Sequence, residues 1–196
     1  YLQNALSSDS QAVIGLDADN ANSLNLATIG NGRSYLAPTG ANRTYTATTL
    51  GVGADNIYRI GGGGFTLTLN SSAAGNAGAL VDAAGTRLLV GGQLTNLNGG
   101  IDSQDLFTYT GGTVISRSSS MVVRQNSTPT AGPLGVSGAV DIFGTLQVYA
   151  DATLRNVAGT ANAYAVNLHP GSVLFLDNDT VNLTNRWDDA TAVNLN

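Results

Sequence analysis

The sequence predicts an all-β protein, a right-handed parallel β-helix (solenoid) of about eight or nine coils. Three observations carry that prediction. Short runs that alternate apolar and polar residues recur along the chain, the pattern of half-buried strands. They recur at coil length: the step from the strand at Phe65 to that at Arg87, and on to that at Thr113, is in the low-to-mid twenties. That lies within the ~20–50 residues typical of repeat architectures. Helix-period apolar stripes are absent, and so are Glu and Lys, two of the usual fillers of helix surfaces.

The elements follow in order. Val13, Ile14 and Leu16 place a strand at 12–16, and Leu24 and Leu26, spaced by Asn25, place one at 23–28. The Thr- and Tyr-rich run 44–50 and the run 56–60 read as strands by their β-branched and aromatic content. Four glycines, Gly61 to Gly64, then make a tight corner that needs positive φ. The strictly alternating 65–69 follows, then 79–81 and 87–90. Strands at 106–110, 113–116 and 121–124 lead to the longest irregular stretch, 126–134. Beyond it come 139–143, 145–149 and 163–168. The last two strands, 172–176 and 190–195, are joined by a turn rich in Asn, Asp and Thr. The four prolines, at 38, 129, 133 and 170, all fall in predicted turns. No linker interrupts the series, so residues 1–196 form one solenoid domain. The chain opens at Tyr1 without Met and stops inside an alternating run, which predicts a fragment or a processed piece of a longer secreted chain.

Composition narrows the function. Charged residues are 11% of the chain, against about 25% in ordinary soluble domains. Every acidic residue is Asp and every basic one Arg, and the mean hydropathy is +0.06. The polar surface is therefore made of Asn, Thr, Ser and Gln. Twenty Asn and 25 Gly supply turns. The net charge of −5 argues against nucleic acid, which wants clustered Lys or Arg. With no cysteine, disulfides and thiolate metal sites are excluded. No apolar run reaches the ~18 residues of a spanning helix, so no membrane span is expected.

Several short patterns carry chemistry elsewhere, and each has a plainer reading here. The segment 50–58 falls one residue short of a calcium-binding nonapeptide, and reads as a Gly-rich turn before a strand. Asp17 with Asp19, and Asp177 with Asp179, place paired carboxylates on one side of an extended segment. They read as solvated turn residues. Glycoside cleavage needs two carboxyls facing one groove. The candidate pairs are Asp102 with Asp105 and Asp188 with Asp189, the second pointing to opposite faces of a strand. Arg117 and Arg124 are the basic residues a lyase would want nearby. His169, before Pro170, is the only histidine and the only route to a Ser-His-Asp triad. Gly61 to Gly64 lack the Lys and helix of a phosphate loop. The expectation is a chain that is not an enzyme, with no cofactor and no metal. Five Asn-x-Ser/Thr matches, at Asn42, Asn70, Asn126, Asn178 and Asn182, are of the kind that a chain this rich in Asn, Ser and Thr produces by chance.

Five segments, matching four elements of one family, carry a resemblance. Residues 106–116, LFTYTGGTVIS, resemble the NTYTGGT core of the autotransporter-associated β-strand repeat. Residues 34–50, SYLAPTGANRTYTATTL, and 56–69, NIYRIGGGGFTLTL, resemble the TYTGTL…NTYRLGGGGGTLTL segment of large secreted proteins that bear the repeat. Residues 135–148, GVSGAVDIFGTLQV, are similar to GTGAVTVNGTLQL, and 185–195, NRWDDATAVNL, to NRLSDTAAVTLN. Phe107 stands where Asn is usual, and Trp187 where a small apolar residue is usual. The resemblance implies a parallel β-helix, secretion, and a place at the bacterial surface as passenger, adhesin or fibre.

The functional expectation is a structural rod, extracellular or on the bacterial cell surface. Its ends would continue into further coils or pair with another copy of the chain. The assembly edges expected from the sequence are Val13, Ile14 and Leu16 at one end and Val193 and Leu195 at the other. The runner-up is a carbohydrate-binding or carbohydrate-cleaving β-helix, its partner a surface polysaccharide, with Trp187 as the residue for sugar stacking.

Overall fold

Alternation sends every second side chain of a strand inward, so what stacks inside is decided by register. The computed structural model describes residues 12–71, 78–81, 85–91, 99–125, 131–149, 152, 154, 164–177 and 192–196. Their strands, in order, are β1 (Val13–Leu16), β2 (Leu24–Asn25), β3 (Tyr35–Pro38), β4 (Arg43–Tyr45), β5 (Leu50–Gly51), β6 (Ile57–Ile60), β7 (Thr66–Leu69) and β8 (Arg87–Val90). They continue as β9 (Gly99–Ser103), β10 (Thr113–Ile115), β11 (Ser119–Val123), β12 (Gly138–Ile142), β13 (Thr145–Val148), β14 (Tyr164–Leu168), β15 (Val173–Leu176) and β16 (Ala192–Leu195). The only helical pieces among the described residues are two three-residue 3-10 turns, Leu26–Thr28 and Ala54–Asn56.

The strands form three sheets in which every strand pairing is parallel. One has eight strands, ordered β1-β3-β6-β8-β10-β12-β14-β16. A second has six, β15-β13-β11-β9-β7-β4, and a third only β2-β5. From β3 on, each turn of chain thus lays one strand on the first sheet and the next on the second, the arrangement of a β-solenoid. The fold is all-β, as expected. About five turns are complete, fewer than the eight or nine expected. The first sheet has eight rungs. Only the turns opened by β3, β6, β8, β10 and β12, however, have both a second-sheet strand and a third side among the described residues.

The core is a set of ladders. Ile14, Leu36, Ile60, Val90, Ile115, Ile142, Leu168 and Leu195 are successive register partners along the first sheet. From Leu36 to Ile142 these side chains are fully buried. A fully buried aliphatic side chain contributes about 1.5–3 kcal/mol, so this one column is a major part of the fold's stability. The second sheet faces it with Tyr45, Leu69, Ser103, Val123, Val148 and Leu176, again partner to partner. Some polar groups inside are paired: Thr113 Oγ1 lies 2.6 Å from the Tyr109 hydroxyl and donates to the Leu134 carbonyl at 3.2 Å, whereas the buried Ser34 and Ser119 hydroxyls make no hydrogen bond among the described residues. Removing buried polar groups from water without such partners is costly.

The sequence missed two strands. β3 does not alternate, because all four of its residues are buried. It also ends on Pro38, which the sequence placed in a turn. Pro38 has no N–H to offer toward β6, and the β3–β6 pairing is reduced to Leu36↔Ile60. β9 begins Gly-Gly, a poor strand signature. Two expected strands are corrected. Residues 79–81 are not a strand, and 106–110 makes only bridges at its start. Beyond the short β2–β5 pairing, the third side is closed by isolated contacts such as Leu50 N to Ala79 O and the reciprocal pair between Phe107 and Gly132, without a continuous ladder. The glycine corner is as expected: Gly61, Gly62 and Gly64 have φ of 104, 93 and 81°, and a Cβ on Gly63 would lie 2.1 Å from the Pro38 carbonyl oxygen.

Candidate functional site

Ser103, Val123, Val148 and Leu176 point into the solenoid from the second sheet, so their chain neighbours point out. Two outward columns result. One holds Asp102, Val122, Gln147 and Phe175 in register. The other lies one residue beyond the ladder and holds Gln104, Arg124, Tyr149 and Asp177. It is aligned by Arg124 N to Ser103 O, Tyr149 N to Val123 O and Asp177 N to Val148 O, at 3.0, 3.0 and 2.9 Å.

These columns cross-link adjacent turns. Arg124 Nε donates to Asp102 Oδ1 at 2.6 Å, a charge-assisted bond between half-buried side chains. The hydrogen bond to Asp102 pushes the Arg124 pKa further up, against a smaller opposing effect of burial. The same guanidinium sits 4.0 Å from the centre of the Tyr149 ring, one turn further on. Gln147 Nε2 donates to Asp177 Oδ2 at 3.1 Å in the next turn. Around the ion pair, Asp102, Gln104, Arg124, Gln125 and Tyr149 line a shallow depression of about 390 Å³.

The carboxylate pair expected for glycoside cleavage does not share this depression. Asp102 faces outward on Arg124, whereas Asp105 is 1% exposed and both its oxygens accept from the Ser71 amide, at 2.8 and 2.9 Å. Burial pushes the Asp105 carboxyl up to about 6, partly offset by backbone hydrogen bonds from Ser71 and Ala79. A raised pKa marks many catalytic acids, but this carboxyl closes a loop inside the fold. His169 lies on the outer side of the first sheet. Its Nε2 is 3.3 Å from Asp141 Oδ1 and its ring stacks on Phe143, centroids 3.8 Å apart. No hydrogen bond from His169 to a serine hydroxyl forms among the described residues, so the triad is not assembled. Arg117 is exposed and distant in register from Asp102.

The remaining candidates are accounted for in the same way. Asp19 Oδ1 accepts from the Thr44 amide at 2.8 Å, pinning one turn to the next, and Asp17 is exposed. Asp55, the acidic residue of the calcium-like segment, sits in a 3-10 turn with φ of 60° and faces Arg33 and Arg59 at 3.6 and 3.5 Å. Two arginines on the carboxylate disfavour a cation there. Among the described residues no group of three or more metal-ligating side chains occurs. Trp187, Asp179, Asp188 and Asp189 lie outside the described residues.

The expected assembly edges fall at opposite ends of the eight-stranded sheet. Val13, Ile14 and Leu16 are in β1, with Ile14 and Leu16 packed on the core. Val193 and Leu195 are in β16, 44% and 83% exposed. Beside the β16 end runs an outward ladder over β12, β14 and β16 that sequence reasoning missed: Asn194 Nδ2 donates to Asn167 Oδ1, and Asn167 Nδ2 to Asp141 Oδ1, both at 2.8 Å. The Arg124–Asp102–Tyr149 cluster was missed as a unit too. Its one signal is outward polar residues recurring at coil spacing.

Fold and surface together define a β-solenoid with a polar, cross-linked exterior. Comparison with known proteins finds no family model, no curated protein and no solved structure that matches the chain.

Proposed function

We propose that this chain is a non-enzymatic structural rod of an extracellular bacterial surface assembly, a fibre or an adhesin stalk of the kind the repeat resemblance implies. The observation that carries the reading is the aliphatic ladder from Ile14 to Leu195, unbroken through all eight strands and ending on an exposed strand. A terminal strand of a parallel sheet offers a row of unpaired N–H and C=O groups, which template pairing. In this reading further coils, or another copy of the chain, cover β16 and continue the ladder. The polar, weakly charged exterior supports it, since little charge repulsion opposes stacking. So does the commitment of Asp102, Asp105 and His169 to contacts within the fold, which leaves the acid–base candidates occupied.

The test is electron microscopy of the native material, with light scattering of the purified 196-residue chain across a concentration series. Long unbranched rods, shortened by Val193→Lys with Leu195→Lys, are expected. Compact particles in the native material, or a chain that stays monomeric at every concentration, would overturn the stacking rod.

A further inference from the structure

We propose that the outward face of the second sheet binds an extended neutral glycan lying along the solenoid axis, over Gln104, Arg124, Tyr149 and Asp177. The first support is periodicity. The four residues come from four successive turns, aligned by the ladder hydrogen bonds beside them. Turns of a parallel sheet are ~4.8 Å apart, and a pyranose unit in an extended glycan advances by close to the same distance. A linear glycan therefore meets the same column once per sugar.

Chemistry is the second support. The Gln104 and Gln125 carboxamides line the depression, and neither makes a side-chain hydrogen bond to another described residue. Each offers two donors and an acceptor, suited to neighbouring hydroxyls. Arg124 and Asp102 neutralise one another at 2.6 Å and both line the depression, so the site holds a charge pair with no net charge. The half-buried Tyr149 ring adds an apolar edge, the usual complement to polar groups in a small-molecule site.

Charge sets the class of glycan. The strip carries two carboxylates against one guanidinium, and the chain as a whole is −5. A polyanion is repelled and a neutral polyhydroxyl chain is not. An ion pair that only clamped two turns would account for Arg124 and Asp102. It gives no role to the two open carboxamides beside it.

The experiment titrates the isotope-labelled chain with linear neutral (1→4)-linked hexasaccharides of glucose, mannose and xylose, and with a galacturonate hexasaccharide as the anionic counterpart. Binding is read by amide chemical shifts. At least one neutral hexasaccharide should shift residues of β9, β11 and β13. Its disaccharide should bind at least about tenfold more weakly, because it spans fewer turns. Gln104→Ala with Gln125→Ala should weaken binding by about tenfold. Neither residue is buried, so folding should survive, which the unperturbed amide spectrum elsewhere checks. Tyr149→Phe, which keeps the ring, should change it far less. The proposal fails if no neutral hexasaccharide binds, if the galacturonate binds best, or if the double variant binds as well as the parent.

Discussion

Asn167 donates to Asp141 across one turn and accepts from Asn194 across the next, both at 2.8 Å, so a single amide joins three turns on the outside of the first sheet. The three residues are exact register partners, Asp141↔Asn167↔Asn194. The amide is suited to this place because it donates and accepts at once. A carboxylate at the same position would only accept.

Asn167→Asp is therefore expected to destabilise the chain by roughly 1–2 kcal/mol at neutral pH, from a lost donor and a like charge set opposite Asp141. Acidification should restore much of the loss, since a protonated carboxyl donates again. Urea unfolding near neutral pH and near pH 4 separates the cases. An equal loss at both would show that the ladder is not electrostatic in origin.

The aliphatic column predicts a gradient along the rod. Ile115→Ala removes a fully buried side chain flanked by Val90 and Ile142 and should cost about 2–5 kcal/mol. Leu195→Ala, at a position 83% exposed, should cost less than about 0.5 kcal/mol in the dilute chain. Equal costs in chemical denaturation would mean that the column does not hold the fold together as its burial implies.

Much of this architecture was legible in the sequence because strands alternate and recur. Yet the step from Phe65 to Arg87 was counted between different sheets: Phe65 leads into β7 of the second sheet, while Arg87 opens β8 of the first. The true first-sheet step there runs from Ile57 to Arg87. Counting across sheets shortens the apparent step, one reason the expected eight or nine coils exceed the five complete turns. Strands without alternation stayed hidden. Tyr35 and Ala37 on β3 are buried although the strand's other face also packs inward, so no polar residue marks an outer side. The site was the least legible part. Arg124 meets Asp102 and Tyr149 only because three separate turns stack in one register, and nothing local to any of the three announces it.

The glycine corner makes a steric prediction. A Cβ at residue 63 would lie 2.1 Å from the backbone oxygen of Pro38, which cannot swing away as a side chain would. Gly63→Ala should cost roughly 1–3 kcal/mol or more by overpacking. Gly40→Ala meets open space, and its cost should come only from holding alanine at φ of +75°, about 1 kcal/mol. Thermal unfolding of the two variants should rank them in that order. The reverse order would place the corner differently from the contact described.

The last prediction concerns Asp105 and pH. Its carboxyl is 1% exposed and accepts twice from the Ser71 amide, which holds the turn of β7 against the turn of β9. Burial raises its pKa from 3.8 to about 6 in spite of those bonds. The folded chain therefore holds this proton more tightly than the unfolded chain does. The corresponding stability is fully present below about pH 3.8 and is lost as pH rises through about 6. At neutral pH the loss is of order 2–3 kcal/mol, because the carboxylate is then buried with no ion-pair partner among the described residues. Asp105→Asn keeps an oxygen for the Ser71 amide and has no charge to bury at any pH. Relative to this variant, the parent should lose stability between about pH 4 and pH 7. Thermal unfolding of both chains across that range is the measurement. Parallel curves would show that Asp105 stays ionised throughout, its carboxylate held by the amides more strongly than burial opposes it.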